Sequence, residues 1–212
     1  MPSHAQDPAK DLKRADALLA EEKFAEAVEA YDRALKNAPD EARAWNNRSV
    51  ALFGSKKYES ALSSSQQATK IRPDYADAWF NAGNALLALA KFDDALGAFA
   101  RVLAIDPGYL RAWINQGICL SSLGKYDKAI ASYDEVLHRD PRNVNALYNR
   151  GVAQMNLSTL LEALVSFEQV IAVAPRNAEA WKMKSMILRK LGRGEEADQA
   201  RKKAKELNPG LY

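Results

Sequence analysis

The chain has 212 residues, and its apolar fraction of 48% is too high for a disordered polymer. Thirty basic side chains against 27 acidic ones leave a net charge of only +3, which gives no argument for a nucleic-acid partner. A lone cysteine, Cys119, excludes an internal disulfide. With no basic-then-apolar leader over Met1 to Lys10 and no apolar run near 18 residues, the sequence reads as cytoplasmic with no membrane partner.

In chain order, residues 1–7 read as a flexible tail that contains His4. A strict period then begins. Pro39, Pro73, Pro107, Pro141, Pro175 and Pro209 stand 34 residues apart, and Trp45, Trp79, Trp113 and Trp181 each precede a proline by 28, with Leu147 in the vacant register. Such a period marks a solenoid of stacked supersecondary units. We divide residues 8–211 into a single domain of six repeats, 8–41, 42–75, 76–109, 110–143, 144–177 and 178–211.

The first repeat carries Asp11 in the tryptophan register and Arg14 nearby, polar choices that suit a terminal unit with no predecessor. The third shows the pattern most clearly. Trp79, Ala82, Gly83 and Leu86 form one helical face, and Phe92, Ala95, Leu96, Phe99, Val102 and Leu103 form a second. A turn over Ala88 to Lys91 separates them, and Asp106-Pro107-Gly108 stops the second helix. Each repeat is therefore a pair of helices of roughly 12–14 residues, antiparallel to one another.

Two small-residue registers mark close helix approach. One holds Gly83, Gly117 and Gly151, with Ala15, Ser49 and Ser185 in the other copies; the second is alanine in all six, from Ala27 to Ala197. Tyr31, Phe99, Tyr133 and Phe167 fill the space beside the alanines, and Phe24, Tyr58, Phe92 and Tyr126 pack near the turn within each repeat. Cys119 lies in an apolar helical stretch and reads as a small buried hydrophobe. In the last repeat Arg201 takes the aromatic register, and the face carrying Arg201 and Ala204 is expected to be thinly protected.

The run Trp79…Gly83…Leu86…Phe92…Ala95…Phe99…Pro107, repeated as Trp113…Gly117…Leu120…Tyr126…Ala129…Tyr133…Pro141, resembles the tetratricopeptide repeat family over nearly the whole chain. The fifth copy departs with Leu160 and Gln154, the sixth with Ser185 and Gly194. The resemblance implies an all-α, right-handed superhelical solenoid of antiparallel helix pairs whose first helices line a concave groove. It also implies a non-enzymatic protein or peptide binder.

The candidate binding residues follow from the register. Asn47, Asn81, Asn115 and Asn149 lie 34 apart, two positions after the tryptophan register and so roughly 200° around the helix from it. A ladder of carboxamides offers both donors and acceptors to an extended backbone, while the same groups can equally bond between neighbouring helices; both readings stand at this point. Phe80, Ile114 and Tyr148, with Val50, Asn84, Ile118 and Val152 one turn on, form an adjoining strip of anchors, and Arg43 and Arg111 can attract an acidic side chain. A clamp for a chaperone's terminal carboxylate is disfavoured, because Asn46, Asn115 and Val50 stand where that pattern needs other residues.

No metal site, cofactor or enzyme is expected: His4 and His138 have no partner at ligand spacing, and no phosphate loop or nucleophile motif occurs. The groove lacks a basic track for RNA. The strongest basic excess, Lys182 to Glu206, reads as a solvated face. The second functional reading is structural: assembly by homo-oligomerisation, through convex-face or end-to-end contacts.

Overall fold

The computed structural model describes residues 8–211, and every regular element among them is helical. Six pairs follow in order: α1 Pro8–Ala20 with α2 Phe24–Asn37, α3 Ala42–Gly54 with α4 Tyr58–Ile71, and α5 Ala76–Ala88 with α6 Phe92–Ile105. Then come α7 Leu110–Ser122 with α8 Tyr126–Arg139, α9 Val144–Asn156 with α10 Leu160–Val173, and α11 Ala178–Lys190 with α12 Gly194–Leu207. A 3-10 turn, Pro209–Leu211, contacts α12. No helix among the described residues is long and apolar enough to cross a membrane. The chain divides into two compact units between Ala112 and Trp113, within α7.

The helix pairs are closed by a backbone feature that composition hides. Glu22, Lys56, Ala90, Gly124, Ser158 and Gly192 hold one register, and all six have positive φ between 56° and 76°. Each ends a first helix by a left-handed residue, with bonds such as Lys91 N–H to Leu86 O at 2.9 Å and Ala90 N–H to Leu87 O at 3.0 Å. A Cβ in that conformation costs about 1–2 kcal/mol, which only Gly124 and Gly192 avoid. Ala90→Gly is therefore expected to stabilise the protein by a few tenths to about 1 kcal/mol after the added unfolded-state entropy is deducted. Urea unfolding will show a higher midpoint at an unchanged slope.

In the first unit the core gathers Ala15, Ala27, Ala30, Tyr31 and Leu35 with Ala44 and Ala51. Close packing explains the in-helix glycine at position 83: a Cβ there would lie 2.6 Å from the Phe99 ring. The second repeat solves the same contact differently. Ser49 replaces glycine and Ser65, sixteen residues on, replaces the ring; both hydroxyls are buried and donate to carbonyls, to Asn46 O at 2.7 Å and Ala61 O at 3.0 Å. Indoles of Trp45 and Trp79 donate to Pro39 O at 2.7 Å and Pro73 O at 2.9 Å, bolting each inter-repeat turn to the helix that follows it. These tryptophans are half-buried. Their register is thus only partly buried, because the polar indole edge must reach the turn.

The second unit repeats the logic. Gly117 faces Tyr133, and a Cβ at Gly151 would meet Phe167 at 2.8 Å. Trp181 donates to Pro175 O at 2.9 Å, whereas Leu147 in the same register is simply buried. One core cluster joins Leu147, Leu164, Phe167, Val170, Ile187 and Leu188. Cys119 is fully buried, and burial pushes its thiol up to about 11. At the C-terminal end Ala204 is fully buried and Arg201 half-buried. Ala204 is thus covered, while Arg201 lines an open pocket with the exposed Asp198, Lys202, Lys205 and Glu206.

Polar staples join successive helix pairs inside each unit. Arg48 reaches Asp32 at 2.7 Å and Ser64 Oγ at 2.6 Å. Arg150, three repeats later in the same register, reaches Asp134 at 2.9 Å, Ser166 Oγ at 3.1 Å and Gln169 at 2.8 Å. Both guanidinium groups are largely sheltered, and their planar forks hold an acid sixteen residues before and a serine sixteen after.

Candidate functional site

The first helices carry the residues proposed from sequence. In the first unit, α1, α3 and α5 are laced together by short polar side chains. Asp16 is the hub. Its Oδ1 accepts from Tyr31 OH at 2.6 Å and Asn47 Nδ2 at 3.1 Å, and its Oδ2 pairs with Arg43 at 3.2 Å. The network continues as Asn46 Nδ2 donates to Asn47 Oδ1 at 3.2 Å, and Asn81 Nδ2 donates to the buried Asn46 Oδ1 at 2.8 Å. Asn47 and Asn81 thus bond between neighbouring helices, while each retains a second N–H, and Asn81 its carbonyl, for other partners. Burial and the Asp16 hydrogen bond push the Tyr31 phenol well above its ordinary value.

Other first-unit residues fall into three situations. Val50 is open to solvent at 37% exposure, with Phe53 beyond it at 38%. Asn84 is half-buried. Phe80 departs from the expectation of a groove anchor: it is 3% exposed, its ring 5.9 Å from Phe99 and 5.0 Å from Tyr109, with the Arg111 guanidinium 4.7 Å above it. An aromatic at that register satisfies the core because α6 brings a second ring to it. Arg111 is consequently a lid on Phe80, and beside it the Tyr109 hydroxyl donates to Asp77 Oδ1 at 2.9 Å. Burial, reinforced by that bond, raises Tyr109 to about 12.

The second unit is more apolar. Ile114, Asn115, Ile118, Tyr148, Asn149 and Val152 are all half-buried. Tyr148 and Val152 pack on the same core as Met155 and Met183, with the Tyr148 ring edge-on to Phe167 at 5.3 Å. Met186, one repeat after Val152, is 43% exposed. Asn149 is half-buried and makes no hydrogen bond among the described residues, so its full carboxamide capacity is unspent there.

Asp16 is the residue that periodicity misses. In its register the later copies carry Val50, Asn84, Ile118, Val152 and Met186, so a carboxylate there looks like terminal drift. Its signal is Tyr31 fifteen residues on, a hydroxylated ring where the third and fifth copies carry phenylalanine. Among the described residues no cluster of His, Cys, Asp and Glu has the form of a metal site.

Comparison with known proteins agrees with the repeat register. Tetratricopeptide repeat models match residues 12–76, 52–114, 110–143 and 178–211. No curated protein matches the sequence. Several solved structures share the fold. PilW, a widely conserved type IV pilus biogenesis factor, is 24% identical with a TM-score of 0.83 over 97% of this chain and 95% of that chain. YrrB, a TPR protein with an unusual peptide-binding site, is 21% identical with a TM-score of 0.73 over 87% and 95%. MamA from Desulfovibrio magneticus RS-1 is 19% identical with a TM-score of 0.75 over 80% and 96%.

Proposed function

The chain belongs to the tetratricopeptide repeat family, built from non-catalytic helix pairs that serve as protein-binding scaffolds, and on that premise we propose that it holds an extended peptide or partner segment against its first helices. The observation that carries the reading is Asn149, a half-sheltered carboxamide that makes no hydrogen bond among the described residues, bordered by Tyr148 and Val152. It offers an N–H and a C=O to a ligand backbone, and the apolar border accepts alternate side chains. Asn115 holds the equivalent register one repeat earlier. In the first unit, Asn47 and Asn81 are held in orientation by Asp16 and Asn46, which limits them to fewer ligand bonds and lowers the entropy of using those that remain. YrrB, described as having a peptide-binding site, supports the class of ligand.

Peptides selected from a random library against the wild type are expected to bind Asn115→Ala/Asn149→Ala about 5- to 150-fold more weakly, since two hydrogen-bonding groups contribute roughly 1–3 kcal/mol. Calorimetric titration measures this. Unchanged affinity in a variant with unchanged unfolding would refute the grip.

A further inference from the structure

We infer that the outer face of α10 is a second docking site, distinct from the first-helix face, for a partner segment that places an aromatic side chain beside a lysine or arginine. The argument starts from a contrast among the repeats. At the second position of the second helix the other copies carry Ala25, Glu59, Asp93, Asp127 and Glu195; the fifth carries Leu161. One turn later they carry Glu29, Ser63, Gly97, Ala131 and Gln199; the fifth carries Val165. Leu161 is 67% exposed and Val165 53%, above every other large apolar side chain among the described residues. Four residues apart, they share one face of α10.

This strip begins at a pocket of about 370 Å³ lined by Ser158, Thr159, Leu160, Leu161, Glu162 and Leu191. The pocket lies where other repeats seat a ring. Phe24, Tyr58, Phe92 and Tyr126 open the second helices of the first four repeats, and the Phe24 ring covers Gly54 at the end of the following first helix, within 2.7 Å of where a Cβ would stand. Leu160 takes that register in the fifth repeat, facing Leu191 just past the end of α11. A branched four-carbon chain reaches less far than a ring. The next copy has Gly194, whose absent Cβ would meet nothing within 4 Å. The space, lined by Leu160, Leu161 and Leu191 on its apolar side, thus holds the register that the Phe24 ring fills in the first repeat.

Charge selects what flanks that ring. Lys23, Lys57, Lys91 and Lys125 precede the second helix in the first four repeats, and Thr159 removes this cation in the fifth. Glu162 is then the sole charge lining the pocket, and it makes no ion pair among the described residues. Arg193, in the lysine register of the last repeat, is already held by Glu196 through two bonds of 2.7 Å. A cation next to the inserted ring therefore finds an available carboxylate, while an acidic neighbour meets repulsion.

The test is methyl NMR with three probes: acetyl-Lys-Trp-Lys-amide, acetyl-Glu-Trp-Glu-amide and acetyl-Lys-Ala-Lys-amide. The first is expected to shift the methyls of Leu160, Leu161, Val165 and Leu191, with at least tenfold weaker binding by the other two. Leu161→Ser removes the exposed apolar side chain without adding charge and will fold; it should lose at least tenfold in affinity, as should Thr159→Lys, whereas Asn149→Ala should not. The inference is overturned if no α10 methyl moves, if the acidic probe binds equally, or if the variants at 159 and 161 both retain wild-type affinity. It is also overturned if these methyls shift on raising protein concentration alone and sedimentation shows a dimer, because the occupant is then a second copy.

Discussion

Replacing Phe99 by alanine is expected to remove about 3–5 kcal/mol of stability, the largest single loss in the first unit. The ring is fully buried, touches Phe80 and occupies the space that Gly83 leaves by lacking a Cβ. Truncation opens a cavity between two helices whose backbones cannot close on it. Domains often hold only about 5–15 kcal/mol, so the variant sits near its unfolding transition. A companion change isolates the contact. Gly83→Ala alone is expected to cost about 1–3 kcal/mol by overpacking, and much less when Phe99 is already alanine. The second repeat shows the pairing is real, since Ser49 is accommodated where Ser65 replaces the ring. Urea unfolding of the four-protein cycle measures it. A loss below about 1 kcal/mol for Phe99→Ala would mean the ring is not a core element.

Alkali is the second large lever. Burial first, with Asp16 and Asp77 assisting, raises Tyr31 and Tyr109; burial raises Tyr133, and burial with Glu179 raises Tyr148. Each folded phenol keeps its proton longer than the unfolded one, whose ordinary value is 10.0. Between those values the native state binds more protons, so stability falls as pH rises. The contribution is complete below about pH 10 and, for Tyr109, is lost by about pH 12. Cys119 adds an earlier loss between its ordinary 9.0 and about 11. Each group contributes at most about 1.4 kcal/mol per pH unit within its window. Urea midpoints should hold steady to pH 9 and fall steeply above 10, and Tyr31→Phe should flatten part of that fall. A flat profile to pH 11.5 would show the phenols to be solvated.

How far the sequence discloses this molecule depends on whether a feature repeats. Alanines from Ala27 to Ala197 recur in every copy, and all six are 0–1% exposed. Apolar periodicity identified the helix pairs for the same reason: identical units bury identical faces. The half-burial of the tryptophans is not legible in the pattern, because an indole looks apolar although its N–H must find an acceptor, here the carbonyl of Pro39, Pro73 or Pro175. Phe80 was misassigned because its register is apolar in several copies, and only the arrival of Phe99 and Tyr109 makes it core.

Features confined to one or two copies were harder to see. Arg48 and Arg150 look like isolated surface charges, yet the sixteenth residue after each is Ser64 or Ser166, and Gln116 likewise faces Ser132 at 3.0 Å. Where this register is Ala82, the sixteenth residue is Ala98. Comparing copies with one another, rather than with an average, exposes that coupling. It also exposes Leu161 and Val165, invisible to a search for apolar faces because α10 is apolar nearly all round. The left-handed register was missed because four of its six members, Glu22, Lys56, Ala90 and Ser158, give no glycine signal.

The central claim, that the first helices grip a peptide backbone through their asparagines, is tested most directly by selective ¹⁵N labelling of asparagine and titration with a library-selected peptide. The account predicts that the Asn149 carboxamide resonances shift progressively to saturation, and that those of Asn47 and Asn81, already engaged with Asp16 and Asn46, shift less. Saturable binding that leaves the Asn149 side-chain resonances in place would contradict it.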